Sequence, residues 1–197
     1  LTNSPACANP ALAPLPGGGF TVAWSQKDPR VRTHSWDIFA RSFNGAGTPN
    51  GAPVLVNSFT YGDQYAPRLA TVGSRQMAIW TSLGQDGSRE GVFGRFLSGG
   101  APSGEELLVN TEYTISMQMQ PALASDALNR FLVVWTSFVG GAASFDLYAQ
   151  RYAGTAVLNN APGAPYLAAL GPETLHVTWP ELAGYLSLDH YELFMDG

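Results

Sequence analysis

The stretch FLVVWTS, residues 131–137, decides the fold of this chain. It is an uninterrupted apolar run that ends in a tryptophan and two hydroxyl residues, as is typical of a β-strand buried on both faces. Closely similar stretches occur earlier, at residues 20–25 and 76–82. Because Trp80 follows Trp24 by 56 residues and Trp135 follows Trp80 by 55, the chain is built from a repeat.

Other sequence features recur at the same spacing. A proline opens an apolar stretch before each of these strands, at Pro10, Pro67 and Pro121. A third strand ends in an aromatic residue at residues 37–43, 90–96 and 146–152, and a fourth run ends in asparagine at 54–57, 107–110 and 156–159. Four short strands with Gly- and Pro-rich turns are typical of a β-propeller blade. The sequence therefore predicts an all-β fold of three four-stranded antiparallel units of about 55 residues, spanning about 10–57, 67–110 and 121–159.

Three units raise the question of closure, because propellers have about four to eight blades. Asn3 lies 54 residues before Asn57, so the chain begins where an earlier unit would end. We therefore expect an excerpt from a longer chain. Pairing of the three units with another copy, and an open array or sandwich, are the alternatives.

Composition and charge restrict the partners. Only 13% of residues are charged, and the 22 glycines and 14 prolines accompany 45% apolar content, which is typical of a turn-rich globular β protein. A net charge of −5 without a basic cluster argues against nucleic acid and anionic membranes as partners. No apolar run reaches the roughly 20 residues of a membrane span. Cys7, the single cysteine, cannot form an internal disulfide and is interpreted as a tolerated small residue.

Composition changes at residue 161. A linker at residues 162–165 is followed by a strand ending in Val177-Thr178-Trp179 and by a second at Tyr191-Glu192-Leu193. This segment resembles the opening of a fibronectin type III domain, an immunoglobulin-like sandwich of about 100 residues. We predict repeats over 1–160 and the first part of such a domain over 161–197. Its strands would be completed by residues not given, or would pack on the last unit.

The repeat units resemble the propeller-like repeats of large secreted or surface bacterial proteins, which often adjoin fibronectin type III modules. The resemblance is carried by a glutamine before the opening proline, the Val-Val-Trp-Thr-Ser strand, the Asp-x-Tyr-Ala-Gln-Arg-Tyr strand and the Val-Asn-Thr ending. It implies an extracellular or cell-surface protein that is not an enzyme.

Four loop aromatics are candidates for a sugar-stacking platform, with packing lids as the alternative interpretation: Trp36, Tyr61, Tyr65 and Tyr113. Asp86 is a weak candidate for a calcium ligand, with an ordinary Asp-Gly turn as the alternative. We predict no other metal or cofactor, because the histidines lack ligand spacing. We predict no catalytic residues, since no Gly-x-Ser-x-Gly motif occurs.

The third strands share a charge pattern. An acidic residue opens each of them and an arginine lies near each end: Asp37, Glu90 and Asp146, with Arg41, Arg95 and Arg151. Because the pattern recurs in every unit, we interpret it as scaffold, either turn caps or ion pairs, rather than as a ring of cation sites.

The leading functional hypothesis is an extracellular structural or adhesive module. Its partners would be other domains of the same longer chain or other surface proteins. A carbohydrate-binding propeller, with glycans as partners, is the first alternative. The others are a secreted glycoside hydrolase or a non-catalytic part of one, and a subunit of an extracellular filament. Hydrolysis would require carboxylates that converge in a pocket.

Overall fold

The computed structural model describes residues 5–27, 36–126, 130–140, 144–153, 166–171 and 174–178. Every regular element in these ranges is a β-strand, and the strands form three antiparallel sheets. The all-β prediction is confirmed. No helix in the described ranges has the length and hydropathy to span a membrane.

The first two sheets each contain four strands in chain order. Sheet one contains β1 (Ala6–Pro14), β2 (Phe20–Lys27), β3 (Asp37–Phe43) and β4 (Val54–Leu55). Sheet two contains β5 (Gln64–Val72), β6 (Arg75–Leu83), β7 (Glu90–Ser98) and β8 (Ala101–Leu108). The predicted second and third strands are present in both. The fourth strand of sheet one is only two residues long, although the N–H of Val56 still donates to the carbonyl of Ile38 at 2.8 Å.

The third sheet has five strands instead of the predicted four. It contains β9 (Gln118–Ser125), β10 (Arg130–Gly140), β11 (Ser144–Ala153), β12 (Tyr166–Gly171) and β13 (Thr174–Thr178). Strand β12 pairs with β11 through Tyr148 and Ala168, so the segment predicted to open a separate domain extends this sheet. The predicted fourth strand at 156–159 lies outside the described residues, as does everything after residue 178. The domain boundary at residue 161 stays a prediction.

The sheets stack in chain order around their first strands. Strand β5 packs against β1, β2 and β3, and β9 packs against β5, β6 and β7. The first strands of neighbouring sheets therefore lie together, as they do around the axis of a propeller. We call the face of a sheet that is directed toward the preceding unit its leading face, and the opposite one its trailing face.

Two apolar clusters fill the two spaces between sheets. The trailing face of unit one, with Ile38 and Val56, packs against the leading face of unit two, with Trp80 and Phe93. In the same way, the trailing face of unit two packs against Phe131 and Trp135 of unit three. The predicted position of the tryptophan between units is thus confirmed for units two and three. Trp24 is only half-buried, because no described sheet covers the leading face of unit one.

The burial of the second strands follows from this order. Strand β6, in the middle sheet, is buried on both faces, whereas β2 and β10 alternate between buried and more exposed positions. The period-two alternation marks a sheet that is covered on one face only.

Each first strand carries a distortion at the residue before its proline. Asn9, Ala66 and Gln120 have φ values of 51°, 54° and 54°, in the left-handed region that side chains other than glycine rarely adopt. The ladder register shifts at or opposite each of them, which identifies a β-bulge. The bulge re-aims the start of each strand, so the same backbone geometry recurs at one end of all three sheets.

Candidate functional site

The candidate site lies at the end of the sheets where the first and third strands begin and the second strands end. We call it the connection end, because residues 57–64 and 110–118, which link successive units, cross it. We call these segments the first and second connections. The bulges described above lie at this end.

Buried amide side chains determine the shape of the first connection. Asn57 Oδ1 accepts the N–H of Ile38 at 2.7 Å, while its Nδ2 donates to Asp37 Oδ1 and to the carbonyl of Phe59, both at 2.8 Å. Gln64 Nε2 donates to the carbonyl of Tyr61 at 3.1 Å. Both amides are buried, so the loop backbone is bonded to the sheet at fixed points.

The second connection repeats this arrangement. Asn110 Oδ1 accepts the N–H of Val92 at 2.7 Å, and its Nδ2 donates to the carbonyl of Tyr113 at 2.9 Å. Gln118 Nε2 donates to the carbonyl of Ile115 at 2.9 Å. The equivalent bonds place Tyr113 where the first connection has Phe59, and Ile115 where it has Tyr61. Each connection therefore exposes an apolar side chain at its tip, Tyr61 at 79% and Ile115 at 76%.

Three of the four predicted aromatic residues lie in or beside the first connection. Trp36 is half-buried; its N–H donates to Asp63 Oδ1 at 3.1 Å and its carbonyl accepts the N–H of Gln64 at 2.7 Å. Tyr65 is the second residue of β5, and burial raises the pKa of its hydroxyl, with smaller contributions from the charges of Glu90 and Asp63. Tyr61 lies at the tip. The fourth aromatic, Tyr113, lies in the second connection, and a platform formed by all four stays a prediction.

Tyr113 borders a cavity of about 360 Å³. The lining residues come from the second connection and the end of β10: Glu112, Tyr113, Thr114, Ile115, Ser116, Phe138, Val139 and Gly140. The ring of Tyr113 lies 5.9 Å from that of Tyr148, which in turn stacks on Trp135 at 6.1 Å. This aromatic column supports the Tyr113 ring from the buried side, while the residue stays 43% exposed.

Asp86 has a role in the scaffold that the sequence did not reveal. Its Oδ1 accepts the N–H of Ser88 at 3.1 Å, and its Oδ2 accepts Asn110 Nδ2 at 3.4 Å. In the strand register Gly91 occupies the position of Asp37, and a Cβ at Gly91 would lie 2.7 Å from Asp86 Oδ2. Asp86 therefore supplies from the turn the carboxylate that Asp37 supplies from the strand in unit one.

The turn around Asp86 is confirmed. Gly87 has a φ of 86°, and the N–H of Gly84 donates to the carbonyl of Arg89 at 2.6 Å. Calcium binding stays a prediction. In the described part of the chain, no three His, Cys, Asp or Glu side chains come together as a set that could hold a metal ion.

The predicted acidic and arginine residues lie in the third strands, but they do not all occupy equivalent positions in the sheets. Glu90 pairs with Leu83 and so lies one residue before the position of Asp37, while Arg151 lies one residue after that of Arg41 and Arg95. The acidic residue and the arginine are four residues apart in unit one and five apart in units two and three, so both cannot be equivalent in every unit.

The two equivalent arginines are scaffold, as predicted. Arg41 Nε donates to the carbonyl of Gly51 at 2.7 Å, and Arg95 Nε donates to that of Gly104 at 2.9 Å. Arg41 thus fastens the segment between β3 and β4, whereas Arg95 fastens the irregular part of β8 around Gly104.

Comparison of this chain with known proteins gives evidence about its fold. No family model and no curated protein matches the chain. Among solved structures, an α-L-arabinanase of Penicillium chrysogenum complexed with arabinobiose is similar, with a TM-score of 0.53 and 14% identity, over 87% of this chain and 63% of that one. The GH43_1 enzyme of Xanthomonas citri complexed with xylose has a TM-score of 0.50 and 12% identity, over 78% of this chain and 53% of that one.

Identities this low show the fold alone. These neighbours are propeller-type proteins, which supports the propeller-like interpretation of the repeats. The chain spans 53% and 63% of the two similar structures. The fibronectin type III resemblance stays a prediction.

One prediction is wrong as stated, namely that the protein is not an enzyme. That prediction rests on a resemblance to non-catalytic repeats, whereas the similar solved structures are glycoside hydrolases. A fold of this kind is therefore compatible with catalysis, and only a site can decide the activity.

Proposed function

We propose that this chain contacts carbohydrate at its connection end, through the cavity beside Tyr113. The observation that carries the proposal is the exposed ring of Tyr113, which stands on Tyr148 and Trp135 at the edge of a cavity of about 360 Å³. Small-ligand sites of about 300–1,000 Å³ combine apolar walls with a few polar groups. Here Thr114 and Ser116 supply hydroxyl groups for hydrogen bonds to a sugar.

The fold gives independent support. The similar structures are an arabinanase with arabinobiose and a GH43_1 enzyme with xylose, so short pentose oligosaccharides are the first ligands to test. A location outside the cell is part of the same proposal.

Isothermal titration of the chain with arabinobiose and xylobiose tests the proposal. Replacing Tyr113 by alanine removes the supported ring, and we expect binding to weaken about tenfold, or about 1.4 kcal/mol. Tyr61→Ala is the matched control, because it removes an exposed tyrosine from the other connection. Absence of binding to both sugars, or an equal loss of affinity in both variants, would contradict the proposal.

A second candidate function is hydrolysis of a glycosidic bond, which the enzymatic nature of both similar structures favours. Such chemistry needs two carboxyl groups about 5–9.5 Å apart. Glu106 is engaged in the scaffold, because its Oε2 accepts the N–H and the hydroxyl of Ser58 at 2.6 and 2.7 Å. Glu112 lines the cavity and is the carboxylate to test.

Release of reducing sugar from arabinan and xylan measures this activity. If hydrolysis takes place in the cavity, Glu112→Gln lowers the rate more than it lowers oligosaccharide affinity. An unchanged rate in Glu112→Gln would exclude that carboxylate from the chemistry.

The adhesive-module hypothesis stays an alternative in which the chain contacts protein rather than glycan. Competition distinguishes the two. Free oligosaccharide would displace the chain from a glycan-coated surface, whereas it would not displace it from a protein partner.

A further inference from the structure

Both ends of the stack carry an apolar face that no described sheet covers. On the leading face of unit one, Leu12 is 70% exposed, and Val22 and Trp24 are only half-buried. On the trailing face of unit three, Leu132 is 37% and Leu147 is 58% exposed. Faces of repeat units that stay exposed to solvent usually present polar side chains. These two faces are apolar instead.

The free leading face repeats a docking surface that is used twice inside the chain. By the strand register, Leu12, Trp24 and Phe39 occupy the positions of Leu69, Trp80 and Phe93 in unit two. In unit two this set is buried against unit one. The side chains needed for docking on a further sheet are therefore all present on unit one.

The free trailing face repeats the matching surface. Leu132, Val134 and Leu147 occupy the positions of Met77, Ile79 and Val92. In unit two these three are fully buried against unit three. One chain thus carries both halves of an interface that it already forms twice.

We propose that the leading face of unit one docks on the trailing face of unit three in a second copy of this chain. The contact is head-to-tail, because the two faces differ, and such contacts close when the rotation allows it. The three described sheets of two copies together make six, a number within the about four to eight blades of closed propellers. The closed product is a dimer in which each interface continues the packing between units two and three.

Light scattering on the purified chain tests the proposal. We expect a mass twice the 21.0 kDa of one chain. Leu12→Glu on the leading face and Leu147→Glu on the trailing face should each return the protein to 21.0 kDa, because either change disrupts both interfaces of the closed pair. Both side chains are exposed, so the units should still fold, which circular dichroism verifies. Tyr61→Glu, an equally exposed position on neither face, is the control and should stay dimeric.

Mixing the two variants distinguishes head-to-tail docking from other contacts. Each variant keeps one intact face of opposite type, so the mixture should form a one-to-one complex that neither variant forms alone. A monomeric wild-type chain would overturn the proposal. So would continued association of Leu147→Glu by itself, since that would indicate contact between two leading faces. A larger wild-type assembly that both substitutions abolish would still support docking of these two faces.

Discussion

At the scale of single residues, Asp86 and Gly91 form a compensating pair. In unit one, Asn57 donates to the carboxylate of Asp37, at the start of the third strand. In unit two the equivalent position is Gly91, and Asn110 donates instead to the carboxylate of Asp86 in the preceding turn. The space that the glycine leaves is the space that the Asp86 side chain fills. The two units therefore reach one hydrogen-bond pattern by different sequences.

The pair predicts a non-additive double-mutant cycle. Asp86→Ala should lower the free energy of unfolding by about 1 kcal/mol, because Asn110 loses an acceptor. Gly91→Asp alone should also destabilise, since its Cβ would meet Asp86 Oδ2 at 2.7 Å. The double variant restores the arrangement of unit one, so its loss should be smaller than the sum of the two. Urea unfolding of the four proteins measures this, and strictly additive losses would contradict the assignment.

At the scale of elements, the aromatic column connects three segments of the chain. Tyr113 belongs to the second connection, Tyr148 to β11 and Trp135 to β10, so the rings join the loop to the sheet below it. Burial raises the pKa of Tyr148, and the neighbouring Tyr113, Asp146 and Glu112 raise it further. The column therefore favours the neutral phenol.

This pKa shift predicts a loss of stability in alkaline solution. The ordinary pKa of the phenol is 10.0 and its value in the folded protein is higher, so the folded state binds its proton more tightly than the unfolded chain does. The free energy of unfolding should therefore fall as the pH rises from about 9 to about 11. Tyr148→Phe should reduce that fall, as measured by urea unfolding at each pH. If Tyr61→Phe, the control at an exposed position, reduced it equally, the column would not be the cause.

At the scale of the whole molecule, the repeat was predictable because it lies in residue types. Tryptophan-containing strands at a fixed step predicted the second and third strands of the described sheets and the place of Trp80 between sheets. The all-β class follows from the same pattern.

The other features of the structure could not be predicted, because they depend on strand register and on contacts between residues that are distant in sequence. The position of Gly91 opposite Ser82 could not be read from spacing, because turn lengths differ between units. The pairing of β12 with β11 reflects the available edge of sheet three rather than any local signal. The cavity beside Tyr113 arises only when the end of β10 meets the second connection.

The most direct test of the account is an amide NMR titration of the chain with arabinobiose and with xylobiose. The account predicts that the largest shift changes map to the cavity, at residues 112–116 and 138–140, and that they are reduced in Tyr113→Ala. Shifts that map to the first connection, or no shifts with either sugar, would contradict carbohydrate contact at this site.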